Sequence, residues 1–307
     1  MTKIPWTEQT INPIVGCSKV SPGCENCYAE KMACRLAHMN KRAYQDITQP
    51  NENITWFEQW NGKTAFVPSA LDKPLKRKKP TMYFVCSMGD FWHPSVEPEW
   101  RSRVYEVVRK CPQHVFQFLT KRPKNIHDWP NLPNAWLGVT IEDNAHLYRA
   151  EVLQGIPAAV WFVSVEPMLE RVEIPDEIMR RLGWVIIGCE SGTGRRPCKH
   201  GWISSLRTEC RHAGVPVFVN QIEVNGKVSK DPSEWPEHLR IQQRPILREP
   251  AEVKNIRQER PLCVMCTSAK DAKIERLKKQ KTNLKQQVKL WKMRLEEAIK
   301  LYNKDGE

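Results

Sequence analysis

The chain carries 307 residues, 40% of them apolar, and a formal net charge of +13 at neutral pH. Those values support a buried core, exclude a disordered polyelectrolyte, and suit one barrel-sized domain with an appendage. No apolar run approaches the roughly 18 residues of a membrane span, and the opening MTKIPWTEQT lacks the apolar core of a signal peptide, so a cytoplasmic protein with no membrane partner is expected.

In chain order the first feature is NPIVGCSKVSPGCENCYAEKMA, residues 12–33. It sets Cys17, Cys24 and Cys27 at C-x₆-C-x₂-C spacing in a Gly- and Pro-containing loop that runs into a helix expected over 29–39. In a reducing compartment eleven cysteines do not form a disulfide framework. Clustered cysteines then read as metal ligands, and scattered ones such as Cys111 and Cys210 as core.

Short apolar runs follow at 81–87, 114–120, 135–141, 159–165, 183–188 and 215–220, each bounded by turn residues. Continuous apolar runs of this length are strands buried on both faces, the mark of a parallel sheet. Helical segments at 98–110, 145–154, 175–182 and 202–213 alternate with them. The alternation predicts βαβ units and an α/β fold: a parallel β/α barrel or partial TIM barrel.

Polar residues cluster just beyond the strand ends: SMGD at 87–90, TKRP at 120–123, EDN at 142–144, SVEP at 164–167, CESG at 189–192 and NQ at 220–221. In a parallel barrel these positions open onto the face where such barrels do chemistry. Each alone also reads as a cap on the next helix, but their succession favours a shared site.

From 231 to about 258 the chain turns rich in Pro, Arg and Glu, an extended connection leaving a core that is expected over 1–240. The linker, 241–269, carries a C-x₂-C pair, Cys263 and Cys266. One pair cannot fill a tetrahedral zinc site, so two chains sharing a zinc ion, an auxiliary Fe–S half-site and simple packing are the competing readings. Residues 270–307 read as a basic heptad helix in which Ile274, Lys281, Val288, Leu295 and Tyr302 alternate with Leu277, Leu284, Trp291 and Ala298, Lys281 being the one polar interruption. The seam predicts a coiled-coil homodimer or a helix docked on the barrel.

Three thiolates leave a coordination position open where four would close a structural zinc shell. A [4Fe–4S] cluster held by three cysteines has one iron free to chelate S-adenosylmethionine, which is what generation of a 5′-deoxyadenosyl radical requires. A zinc site completed by Cys34 or a distant His is the rival; Cys34 lies two helical turns past Cys27, about 10 Å away, and reads as core. The usual spacing for this radical chemistry is C-x₃-C-x₂-C with an aromatic residue before the last cysteine; here Asn26 stands in that place and Tyr28 follows.

Taken together, GCSKVSPGCENCYAEKMA, FVCSMGDFWHPSVE, FQFLTKRP, WLGVTIED, FVSVEPML and WVIIGCESGTGRRP resemble a phage-associated, radical SAM-like family with an N-terminal three-cysteine loop. SMGDFWHP and LTKRP are also similar to motifs of the spore photoproduct lyase branch. The likeness covers roughly residues 4–221 and implies a radical SAM enzyme of unassigned reaction with a [4Fe–4S] cluster and S-adenosylmethionine as cofactors. Cys189 departs from the family's GGESG pattern; with Cys198 it reads as a second metal half-site or as plain packing.

On this reading Cys17, Cys24 and Cys27 ligate the cluster. Ser87 and Asp90 are placed to bind the methionyl group, and Glu142, Ser164 and Ser191 to contact the cofactor. Gly188 permits close backbone approach to adenosine. Lys121, Glu166 and Glu190 are the candidate catalytic residues, with Lys121 and Arg122 also candidate partners for the carboxylates, and His93 a structural or proton-relay histidine. The positive charge points to a nucleic acid or nucleobase-related substrate, and the cluster to a reductant protein. The alternative is a noncatalytic Fe–S or zinc adaptor that binds nucleic acid and oligomerises through its C-terminal helix.

Overall fold

The structure is a computed structural model that describes residues 4–50, 57–192 and 194–245. The chain divides into two units, 1–247 and 248–307. Cys263, Cys266, most of the linker expected over 241–269 and the heptad helix over 270–307 lie outside the described residues.

The first unit is built on an eight-stranded sheet whose strands lie side by side in chain order. They are β1 (Gln9–Ile11), β2 (Met82–Val85), β3 (Val115–Thr120), β4 (Ala135–Thr140), β5 (Val160–Val165), β6 (Trp184–Gly188), β7 (Val217–Val224) and β8 (Lys227–Ser229). Neighbours from β1 to β7 pair parallel, and β8 turns back antiparallel on β7. A parallel sheet wound in one direction, with right-handed crossovers, keeps its helices on one side and curls. The result is a half-barrel.

All six apolar runs became strands, for the reason the sequence supplies. Val, Ile, Phe and Trp dominate them, and β4 and β6 are buried at every position. The outer face, including Tyr83, Phe116, Val163 and Val185, packs against α2 (Pro98–Lys110), α3 (Tyr148–Gln154) and α4 (His200–Ala213). Phe84, Trp136, Phe162, Trp184, Ile186 and Phe218 fill the inner face, and Trp6 from the chain's start packs among them. Burial of these rings excludes water from the barrel floor, each large side chain contributing roughly 1.5–3 kcal/mol.

The first helix, α1 (Tyr28–His38), begins one residue after Cys27, which is its N-cap. It buries Ala29, Ala33, Cys34 and Ala37, so Cys34 is core as expected. Two small ribbons, Ile14–Val15 with Ala65–Phe66 and Thr48–Pro50 with Phe57–Trp60, brace it; neither is read from the sequence, because strands this short carry no periodicity. The barrel also runs past residue 240: Val219 N–H donates to Ile241 O and Gln243 N–H to Val217 O, both at 2.8 Å.

Candidate active site

The carboxyl ends of the parallel strands face the loop that carries Cys17, Cys24 and Cys27. Gly16 fixes where that loop starts. Its φ of +98° is a left-handed conformation, and its N–H donates to Met88 O at 3.0 Å beyond β2. Asn12 ties the same two segments, its Oδ1 accepting from Ser87 Oγ and Met88 N–H, both at 3.1 Å. The Tyr28 hydroxyl donates to Ser87 O at 2.9 Å while half of the Tyr28 surface stays exposed.

Three groups on the barrel then grip the loop. Arg122, after β3, donates from Nη2 to Ser18 O at 2.8 Å and from Nη1 to Cys17 Sγ at 3.5 Å. The same Nη1 is 3.1 Å from Asp90 Oδ2. Asp90 also accepts from Thr120 Oγ1 at 2.7 Å, Trp92 N–H at 3.1 Å and Lys121 N–H at 3.2 Å, so both of its oxygens are committed to orienting the β3 end. Glu142, after β4, is fully buried. It accepts from Ser21 Oγ at 2.5 Å, pairs with Lys121 and Arg149, and lies 3.9 Å from His146 Nδ1. Glu190, after β6, accepts from Asn26 Nδ2 at 3.0 Å and from the Arg196 side chain and N–H.

Each thiol meets a different environment. Burial and the Asp90 charge push Cys17 up to about 12, against the opposing Arg122. Burial also raises Cys24, but the Lys121 ammonium, 3.6 Å from its sulfur, and hydrogen bonds at Val20 and Ser21 outweigh it and hold the thiol below its ordinary value. Cys27 is raised by burial, against the α1 amides of Glu30 and Ala29, the orphan donors of a helix N-terminus. Among the described residues no three His, Cys, Asp or Glu side chains gather closely enough to hold a single metal ion.

A second polar group sits on the inner face. The Glu166 carboxylate accepts from Asn220 Nδ2 at β7 and from Ser164 Oγ at 3.2 Å, and the Glu166–Pro167 peptide is cis. A Cβ at Gly188 would overlap the Glu166 carboxylate, so glycine there makes room for the acid. Burial raises the Glu166 pKa in spite of hydrogen bonds from Asn220, Ser164 and Trp6 and the charge of Lys230. Glu142 and Glu190 are also penalised by burial, but their cationic and hydrogen-bonding partners outweigh it and lower them. Three carboxylates at one barrel mouth thus hold protons differently: Glu142 and Glu190 are ion-paired to Lys121, Arg149 and Arg196, whereas at Glu166 burial outweighs the favourable contributions.

The structure brings Ser87, Asp90, Lys121, Glu142 and Glu190 to the cysteine loop, and Ser164, Glu166 and Gly188 to the inner face. Ser191 is half-buried at the rim. His93 bridges Ser18 Oγ and Ser95 Oγ, each at 2.9 Å, and its pKa is lowered by burial and Arg122, a structural arrangement. Cys189 and Cys198 are buried in the outer-face core, their thiols pushed up to about 12 chiefly by burial. Sequence reading missed Asn12, Ser21, Arg149 and Arg196. Only Arg196 had a signal, as a basic residue closing the motif after β6.

The chain belongs to the DUF5131 family, described as a protein of unknown function, whose model matches residues 1–292. No curated protein matches the chain. Among solved structures it is similar to a cysteine-to-serine mutant of spore photoproduct lyase, at 11% identity over 70% of this chain and 77% of that one, with a TM-score of 0.42. A double mutant of that lyase with bound AdoMet and dinucleoside spore photoproduct matches at 12% identity over 65% of this chain and 60% of that one, with a TM-score of 0.37.

Proposed function

We propose that this DUF5131 protein is a radical S-adenosylmethionine enzyme that holds a [4Fe–4S] cluster on Cys17, Cys24 and Cys27 at the mouth of its half-barrel. The observation that carries the reading is the donor set. Three thiols sit on one loop over the strand ends, and a guanidinium, an ammonium and a helix N-terminus each point hydrogen-bond donors at a different sulfur. Such a set offsets the negative charge of a thiolate-ligated cluster. The bound cluster and cofactor would supply a reducing electron and a carbon radical.

The chain's own residues then have definite tasks. Asp90 orients Arg122 and the β3 end, Glu142 orients Lys121 and Ser21, and Glu190 holds Asn26 and Arg196, so these acids position the loop. Ser87 Oγ, Ser191 and the backbone at Gly188 remain the groups for cofactor contact. Glu166, whose pKa burial raises, is the group suited to hold a proton on the inner face. The net charge of +13 favours a nucleic acid or nucleobase-related substrate, and reduction of a cluster calls for a reductant protein.

The test is anaerobic reconstitution with iron and sulfide, followed by EPR of the reduced protein with and without S-adenosylmethionine and an assay for 5′-deoxyadenosine. The expected result is a spectrum that shifts with the cofactor and is lost in Cys17→Ala, Cys24→Ala and Cys27→Ala. A protein that takes up zinc rather than iron, or a cluster indifferent to the cofactor, would leave a noncatalytic adaptor.

A further inference from the structure

At the end of the half-barrel opposite the cysteine loop, where β7 begins, there is a cavity of about 550 Å³. Arg207, Arg211 and Arg244 stand on its wall, and Val215, Val217 and Ile241 give it an apolar lining. Arg207 and Arg211 are one turn apart on α4 and so share a helix face. Arg244 comes from the segment that follows Ile241.

The wall is built rather than loose. Gln243 N–H donates to Val217 O at 2.8 Å, Val217 N–H to Gln243 Oε1 at 3.2 Å, and Trp184 Nε1 to Gln243 O at 2.8 Å. Arg244 is anchored by a 2.9 Å bond from Nη2 to Pro5 O and lies 5.9 Å over the Phe218 ring.

Among the described residues no acid faces the three cations closely enough to pair with them, and the buried Nε of Arg207 has no hydrogen-bond partner. The nearby acid on α4, Glu209, is turned to Ser205 Oγ at 3.2 Å and Arg171 at 4.0 Å. The C-terminal end of α4 favours a cation at Arg211, in its last turn, but not at Arg207 one turn earlier. Like charges one turn apart repel, and a buried unpaired donor costs stability. An anion with several acceptor oxygens relieves that repulsion.

We propose that this cavity binds a phosphorylated organic molecule of about mononucleotide size. Guanidinium forks match phosphate oxygens two at a time, the apolar lining accepts a flat or apolar body, and the volume falls within the range of small-ligand sites. The site is remote from the cysteines and does not depend on any chemistry there.

The experiment is calorimetric titration of the full-length protein with AMP, with adenosine and with inorganic pyrophosphate at matched ionic strength. AMP is expected to bind saturably at one site. Arg207→Gln and Arg211→Gln are each expected to weaken it at least tenfold with melting temperature within a few degrees of the parent. Adenosine should bind far more weakly than AMP, while the Cys17→Ala variant should bind AMP as the parent does. No AMP binding at millimolar concentration, or AMP binding unchanged in both arginine variants, overturns the proposal. Loss of AMP binding in Cys17→Ala with retention in the arginine variants assigns the ligand to the barrel mouth and also overturns it. Pyrophosphate binding as tightly as AMP would reduce the site to a bare phosphate site and remove the organic body from the claim.

Discussion

Arg122 Nη1 lies 3.5 Å from Cys17 Sγ and 3.1 Å from Asp90 Oδ2, so one guanidinium joins a loop thiol to a carboxylate after β2. The two side chains of the ion pair are almost fully buried, with 8% exposed on each. A cation so placed stabilises negative charge on sulfur. Arg122→Gln is expected to lower the midpoint potential of the reconstituted cluster by on the order of 60 mV, the equivalent of a tenfold change for one electron. Redox titration followed by EPR checks this; an unchanged potential would mean that Arg122 only fastens the loop.

Glu142 answers two cations, Lys121 and Arg149, from a fully buried position. Glu142→Gln leaves both unpaired and is expected to cost roughly 3–5 kcal/mol, read as a lowered urea midpoint, with poorer iron uptake because Ser21 loses its anchor. Its folded pKa is depressed, so the stabilisation is fully present above the ordinary carboxylate pKa and is lost as pH falls through the lower folded value. The parent should therefore lose more stability than the variant on acidification.

Glu166 has the opposite sign. Its folded pKa is raised, so the folded state holds the proton more tightly and the group's contribution improves as pH falls. Glu166→Gln is expected to be more stable than the parent near neutral pH by on the order of 1 kcal/mol, the difference closing toward pH 5. Denaturation curves at the two pH values decide it, and a variant less stable than the parent at neutral pH would show that the carboxylate is ionised and stabilised there.

Gly16 sits immediately before Cys17 at a φ of +98°, and a Cβ there would also collide with Lys63 O. Gly16→Ala is expected to destabilise the protein by more than about 1 kcal/mol and to reduce iron incorporation. Thermal melting together with iron analysis checks the pair of effects; full iron loading in the variant would mean that the loop tolerates another path.

The strands, the helices and the cysteine loop were legible because their causes are local. Apolar runs such as WVIIG can only be buried, and Cys17, Cys24 and Cys27 declare themselves by spacing. The polar residues after each strand were also legible as a group, since a parallel half-barrel sends them all to one face. Their individual tasks were not. Asp90 and Glu142 read as cofactor contacts, with Lys121 and Arg122 as candidate carboxylate partners, and the fold shows which pairs with which: Asp90 with Arg122, and Glu142 with Lys121 and with the unforeseen Arg149. Arg122 and Cys17 are 105 residues apart. What determines which cations and hydrogen-bond donors reach a carboxylate at this mouth is which strand end lies beside it. That is set by sheet order and curl, which no stretch of sequence around Glu142 or Glu166 encodes by itself.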